Sequence, residues 1–149
     1  MLGGKCRNDS VLPIFSGVVI FVLGQFLLKL LVEPVQEFKK TIADVALALI
    51  QYSNVYANPG VAGNEVEKRS SEELRRLSSR LNAQMYLIPC YRITANIFGL
   101  PSRDKVVDAT SNLIGLSNGV FESTSNLVLV NVKRSDKIRD ALGIFVLEQ

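Results

Sequence analysis

Polar residues are almost absent from VLPIFSGVVIFVLGQFLLKLLV, the stretch from Val11 to Val32. Up to Leu28 it carries no charge, and only Ser16 and Gln25 are polar. A helix rises about 1.5 Å per residue, so the run is long enough to cross a hydrocarbon layer of roughly 30 Å. No other segment matches it. The pattern predicts an N-terminal tail (1–10), one membrane-spanning helix (11–33) and a single domain (34–149). Lys5 and Arg7 would also suit the start of a secretion signal, but a signal core is shorter and ends on small residues for cleavage. This run ends QFLLKLLVEP, which favours a retained anchor.

Beyond the apolar run the hydrophobic period becomes helical. Val35, Phe38, Ile42, Val45, Leu49, Tyr52 and Tyr56 recur at intervals of three and four, one face of an amphipathic helix. Pro34 either kinks this helix or opens it at its first position, and Asn58-Pro59-Gly60 stops it. After a polar stretch, Ser70 or Ser71 caps a helix reaching about Ile88, with Leu74, Leu77, Leu81 and Tyr86 or Ile88 as its stripe. Pro89 interrupts. A short helix from Cys90 to Phe98 then ends at Gly99, and Ser102 caps another carrying Val106, Val107, Ala109, Leu113, Ile114 and Leu116.

Residues 117–125 read as a loop or helix end around Asn118-Gly119. Asn126–Val132 has the β-branched content of a strand, but a lone strand has no partner. The spacing of Leu129, Val132, Ile138 and Leu142 predicts a final helix instead, ended by Gly143 before an apolar tail, Ile144 to Leu147. The fold class expected is all-α: an N-terminal transmembrane helix continuing into a small cytoplasmic helical bundle.

Composition refines this picture modestly. The chain has 149 residues and a formal net charge of +3, enough for one compact domain outside the membrane and mildly suited to anionic surfaces. Cys6 and Cys90 fall on opposite sides of the span, so they form no disulfide within one chain. Lys29, Lys39 and Lys40 on the C-terminal flank outnumber Lys5 and Arg7, which by the positive-inside rule places the domain in the cytoplasm.

The chain contains no histidine. That excludes imidazole-based triads and zinc sites with imidazole ligands. Glu72 with Glu73, and Asp104 with Asp108, could pair as carboxylates, yet both sit in charged helical stretches that suit a solvated face. No glycine-rich phosphate loop of the familiar kinds occurs. No enzymatic activity, metal or cofactor is expected.

Two cationic clusters stand out. Arg69, Arg75, Arg76 and Arg80 are interleaved with acids and suit a solvated face with pairs such as Glu72–Arg76. Lys133, Arg134, Lys137 and Arg139 have fewer acids nearby and form a candidate surface for RNA, nucleotide, acidic lipid or a protein partner. In the span, Gly17 and Gly24 share a face on which helices can approach closely. Gln25, Lys29 and Glu33 follow at intervals of four. A glutamine in hydrocarbon needs a partner, so this stripe implies a shared axis between copies and an aqueous path. Alternatively it belongs to a single anchor whose Lys29 reaches the headgroups.

Phe26–Gly60, with Glu33-Pro34-Val35, Tyr52, Tyr56 and Asn58-Pro59-Gly60, together with Ile88-Pro89 and Gly99-Leu100-Pro101-Ser102, resembles a group of small bacterial proteins. These join one N-terminal membrane helix to a helical cytoplasmic domain. The layout is more distantly similar to the small membrane accessory proteins of type VI-B CRISPR systems, whose helical domain is related to HEPN ribonucleases and which assemble into a pore that strengthens phage defence. HEPN ribonucleases carry an arginine, a polar residue and a histidine. Arg92 and Asn96 supply the first two here and no histidine can follow, which implies a scaffolding or oligomerising domain without nuclease activity.

The function expected is therefore a non-enzymatic membrane protein that lies in the lipid bilayer of the bacterial cell, self-associates, and perturbs the membrane or forms a pore in defence. The alternative is a membrane-tethered module that recruits RNA, nucleotide or a protein through Lys133, Arg134, Lys137 and Arg139.

Overall fold

The structure, a computed structural model, describes residues 11–121 and 125–145. Lys5, Cys6 and Arg7 of the N-terminal tail, and Val146 and Leu147 of the apolar tail, lie outside the described residues. Every regular element among those described is helical. The apolar run forms α1 (Val11–Leu27), which passes through one π-helical turn (Leu28–Val32) directly into α2 (Glu33–Gln51). Pro34 explains the π turn. It has no amide to donate, and in an unbroken α-helix its ring would meet the carbonyl of Leu30. The ladder slips by one residue just before it, and the Glu33 amide closes on the Leu28 carbonyl. The rod therefore continues through the proline, with Pro34 in the first turn of α2.

One helix among the described residues, Pro13–Gln51, is long and apolar enough to cross a membrane, and its apolar window is fully exposed by the rest of the chain. Past the π turn the same rod becomes a bundle helix: Val35, Phe38, Thr41, Val45, Ala48 and Leu49 are buried along one face. At Tyr52 the backbone leaves α geometry (φ −100°, ψ 14°), and α3 (Ser53–Ala57) follows as a separate short turn. The expected single helix to Asn58 is thus broken.

Helices α4 (Asn64–Leu87), α5 (Tyr91–Phe98), α6 (Arg103–Asn118) and α7 (Ser125–Leu142) complete the fold. Long-range bonds fix the pairing as antiparallel. Arg80 of α4 reaches Glu37 (3.3 Å) and Asp44 (3.7 Å) of α2. Arg75 and Ser78 of α4 bond Asn118 and the Thr110 carbonyl of α6. Arg134 and Asn131 of α7 bond the Gly115 and Gly119 carbonyls of α6. The start of α2, the end of α4, the start of α6 and the end of α7 therefore share the end of the bundle from which α1 leaves. Phe38 and Leu49 of α2, Leu77 and Met85 of α4, Leu113 of α6 and Ile138 of α7 are completely buried in one core.

Three expectations need correction. Helix α4 starts at Asn64, well before Ser70, because Gly63 (φ 92°) turns the chain and Glu65 and Glu67 favour the positive end of the helix. Ser70 and Ser71 are buried in its interior, and the Ser70 hydroxyl donates to the Glu67 carbonyl (2.8 Å). In α7 the inward stripe is Asn131, Ser135, Ile138 and Leu142, whereas Leu129 and Val132 are exposed. In α6, Val107 and Ile114 face outward. The caps at Ser102, Gly99 and Gly143 stand where they were expected: the Lys105 amide donates to Ser102 Oγ in a long contact of 3.5 Å, and both glycines take left-handed φ.

A polar seam joins α7 to the rest. Asn131 Nδ2 donates to the Tyr56 (3.1 Å) and Gly119 (2.7 Å) carbonyls, leaving Oδ1 unpartnered. The Tyr56 hydroxyl donates to the Leu49 carbonyl and lies 3.2 Å from Ser135 Oγ. A Cβ at Gly119 would overlap Asn131 Oδ1. Gly119→Ala is expected to destabilise the protein by about 1–3 kcal/mol through this overlap, and Asn131→Ala by about 1–3 kcal/mol through two orphaned carbonyls. Because removing the amide also removes the overlap, the double variant should cost less than the sum. Thermal unfolding of the four proteins followed by circular dichroism checks this; strict additivity would mean the two positions do not meet.

Candidate functional site

Gly17 and Gly24 lie on the uncovered surface of α1, and a Cβ at either would meet nothing within 4 Å. Gln25, Lys29 and Glu33 are exposed on the same rod. The π turn (Leu28–Val32) falls between Gln25 and Glu33, and the Glu33 amide bonds back to the Leu28 carbonyl.

Three of the first arginine cluster are engaged within the domain, and Arg69 is exposed. Arg76 clasps Glu73 with both carboxylate oxygens (2.6 and 2.8 Å), so the pair is Glu73–Arg76 and not Glu72–Arg76. The bond from Arg76 holds the Glu73 carboxyl below its usual range, against the opposing effect of burial. At this exposure such a pair adds little stability. Arg75 is bound to Asn118 and Arg80 to Glu37 and Asp44.

The second cluster divides. Arg134 lies against Gly115 and donates to its carbonyl at 3.0 Å. Arg139 pairs with Asp136 at 3.5 Å. Lys133 and Lys137 are exposed, and Lys137 lines a shallow depression beside Asp104, Asp108 and Asp140. Of the four, Arg134 and Arg139 are engaged within the domain, while Lys133 and Lys137 stand exposed one turn apart. Among the described residues no group of His, Cys, Asp or Glu is arranged to hold a metal ion.

A concavity of about 980 Å3 lies at the corner between α5 and α6, lined by Arg92, Asn96, Arg103 and Asp104 among others. Two left-handed residues shape it: Cys90 (φ 47°) before α5 and Gly99 (φ 64°) after it. Tyr91 pins the corner. Its hydroxyl donates to the Pro101 carbonyl (2.7 Å), and its ring meets Phe38 of α2 edge-on with centroids 6.1 Å apart. The Arg103 guanidinium stacks over both the Tyr86 and Tyr91 rings at 5.8 and 5.9 Å, within cation–π range. Arg92 and Asn96 are both exposed on α5, one turn apart. Sequence spacing pointed to neither the corner nor Arg103. The signal was two tyrosines and an arginine dispersed over three elements.

Comparison with family models, curated proteins and solved structures finds no match for this chain.

Burial pushes the Tyr91 hydroxyl up to about 12, while the nearby Arg103 charge opposes the shift. The folded state thus favours neutral Tyr91. That stabilisation is complete below the ordinary tyrosine value of 10.0 and is lost as the pH climbs through about 12. A tyrosinate absorbance titration is expected to show a late step near pH 12 that Tyr91→Phe removes. Persistence of the step in that variant would assign it to another tyrosine.

Proposed function

We propose that this chain is a non-enzymatic, single-pass membrane protein of the bacterial cell, anchored by α1 with its bundle in the cytoplasm, that self-associates along the α1–α2 rod and perturbs the membrane as an assembly. The observation that supports self-association is an apolar strip on the outward side of α2. Ala43, Leu47 and Ile50 lie one turn apart there, and the two larger residues are 62% and 64% exposed. Leu47 stands about 22 Å along the axis from Val32 at ~1.5 Å per residue, beyond the reach of acyl chains. A second copy of the rod would cover this strip. On the same rod, the open flanks of Gly17 and Gly24 allow close helix approach, and Gln25 would find a hydrogen-bonding partner in the neighbouring copy.

The mass of the full-length protein in nanodiscs, measured by light scattering, tests this. A defined oligomer is expected, and Leu47→Glu with Ile50→Glu is expected to reduce it to smaller species without loss of insertion. A monomeric wild type would overturn the proposal. Dye release from loaded vesicles tests the membrane effect separately: Gln25→Leu with Lys29→Leu should insert normally and release less dye than the wild type. Equal release would remove these two residues from that role.

A further inference from the structure

The end of the bundle from which α1 leaves is unlike an ordinary solvated helix end. Helix α5 closes it, with Tyr91, Thr94 and Ala95 turned inward and Ile93 and Ile97 turned outward, 63% and 69% exposed. Tyr86 and Leu87, at the end of α4, are exposed beside them. Arg92 and Arg103 are exposed on the same end, each within the α5–α6 corner. Large aliphatic side chains, a tyrosine and arginines together match what a headgroup layer accommodates: apolar bodies sink toward the acyl chains while guanidinium groups meet phosphates.

The position along the rod supplies the second argument. Tyr91 packs on Phe38, which stands roughly 9 Å along the axis from Val32 at ~1.5 Å per residue. The polar layer of a bilayer adds about 5–8 Å on each side of its hydrocarbon. Arg80 of α4 stands level with Glu37 and Asp44 of α2, so seven residues on, at ~1.5 Å each in the opposite direction, the end of α4 from which α5 continues stands near the level of Glu33. If α1 spans the bilayer, the exposed face of α5 falls at headgroup depth.

We propose that α5 and the end of α4 form a membrane-interfacial surface, in which Tyr86, Leu87, Ile93 and Ile97 enter the headgroup region of the same bilayer that α1 crosses and Arg92 and Arg103 bind anionic headgroups. The inference rests on the anchor reading of α1. Its occupant is the lipid surface, because the surface is continuous with the exit point of the span and its two cations, Arg92 and Arg103, outnumber the one acid at the corner, Asp104.

The chain has no tryptophan, so a single introduced one is the only indole emitter. Three full-length variants, Phe21→Trp, Ile97→Trp and Val61→Trp, are reconstituted in phosphatidylcholine–phosphatidylglycerol vesicles containing lipids brominated at shallow and deep chain positions. Phe21 reports on the span, Ile97 on α5, and Val61 on the opposite end of the bundle, where Gly60 bonds Val120. The expected result is loss of emission at Phe21→Trp, loss at Ile97→Trp chiefly with the shallow quencher, and none at Val61→Trp. Adding Arg92→Gln and Arg103→Gln to Ile97→Trp should weaken its quenching toward the level found in vesicles of phosphatidylcholine alone. Quenching at Phe21→Trp with Ile97→Trp as unquenched as Val61→Trp would overturn the interfacial surface and leave the anchor intact. Unquenched, blue-shifted emission at Ile97→Trp would overturn it by giving the face to a second copy. Equal quenching at Val61→Trp and Ile97→Trp would overturn it as general adsorption. Absence of quenching at Phe21→Trp would overturn the anchor and the inference together.

Discussion

The missing amide of Pro34 governs how the two parts of this molecule are joined. A proline inside an apolar span would leave a carbonyl without a donor where no water can replace it, at a cost of several kcal/mol. Here the proline stands at the end of the apolar run, and one π turn re-pairs the ladder ahead of it, with the Glu33 amide on the Leu28 carbonyl. The backbone reaches the bundle without a gap. Val35 and Phe38, in the next turns, already belong to the core. Helix α2 thereby becomes the template for the domain, with α4 laid antiparallel on its inner face.

The bundle is held by two kinds of contact that divide the work. Between α2, α4 and α6 the interface is dominated by leucine, valine, methionine and phenylalanine, which favour burial without dictating register. Helix α7 docks through the Asn131, Ser135 and Arg134 seam, where each donor must meet a particular carbonyl or hydroxyl. Gly115 and Gly119 provide the room, since a side chain at either would overlap Arg134 or Asn131. A slip of α7 by one residue would strand buried polar atoms, so this seam sets the position of the final helix more sharply than apolar packing could.

Much of the fold could be read from periodicity and punctuation. The apolar run, the Phe38–Leu49 face, the Leu74–Leu77–Leu81 stripe, and the stops at Gly99, Ser102 and Gly143 all follow from local chemistry. Two misreadings share one cause. Ser70 and Ser71 look like caps, and the apolar spacing Leu129, Val132, Ile138 and Leu142 leaves out Asn131 and Ser135, because a polar side chain in isolation signals solvent. Only the tertiary neighbours reveal that Ser70 bonds back within its own helix and that Asn131 spans two carbonyls. Glu67 is also buried, within a stretch whose composition suggests exposure. The candidate sites were less legible still. Lys133, Arg134, Lys137 and Arg139 are close in sequence, but Gly115 and Asp136 engage two of them. The α5 corner draws on residues from three elements, so no local window contains it.

The absence of any flexible linker between α1 and the domain has a mechanical consequence. A helix whose apolar length exceeds the thickness of the surrounding hydrocarbon tilts to hide the excess. With α1 in a bilayer as proposed, and because it runs on as α2 through hydrogen-bonded turns, such a tilt would be transmitted to the whole bundle as a rigid lever. Thickening or thinning the bilayer would swing the far end, around Val61 and Val120, through a larger arc than the end beside the lipid. An anchor of this kind would couple lipid composition to the attitude of the domain, with the π turn as the fulcrum.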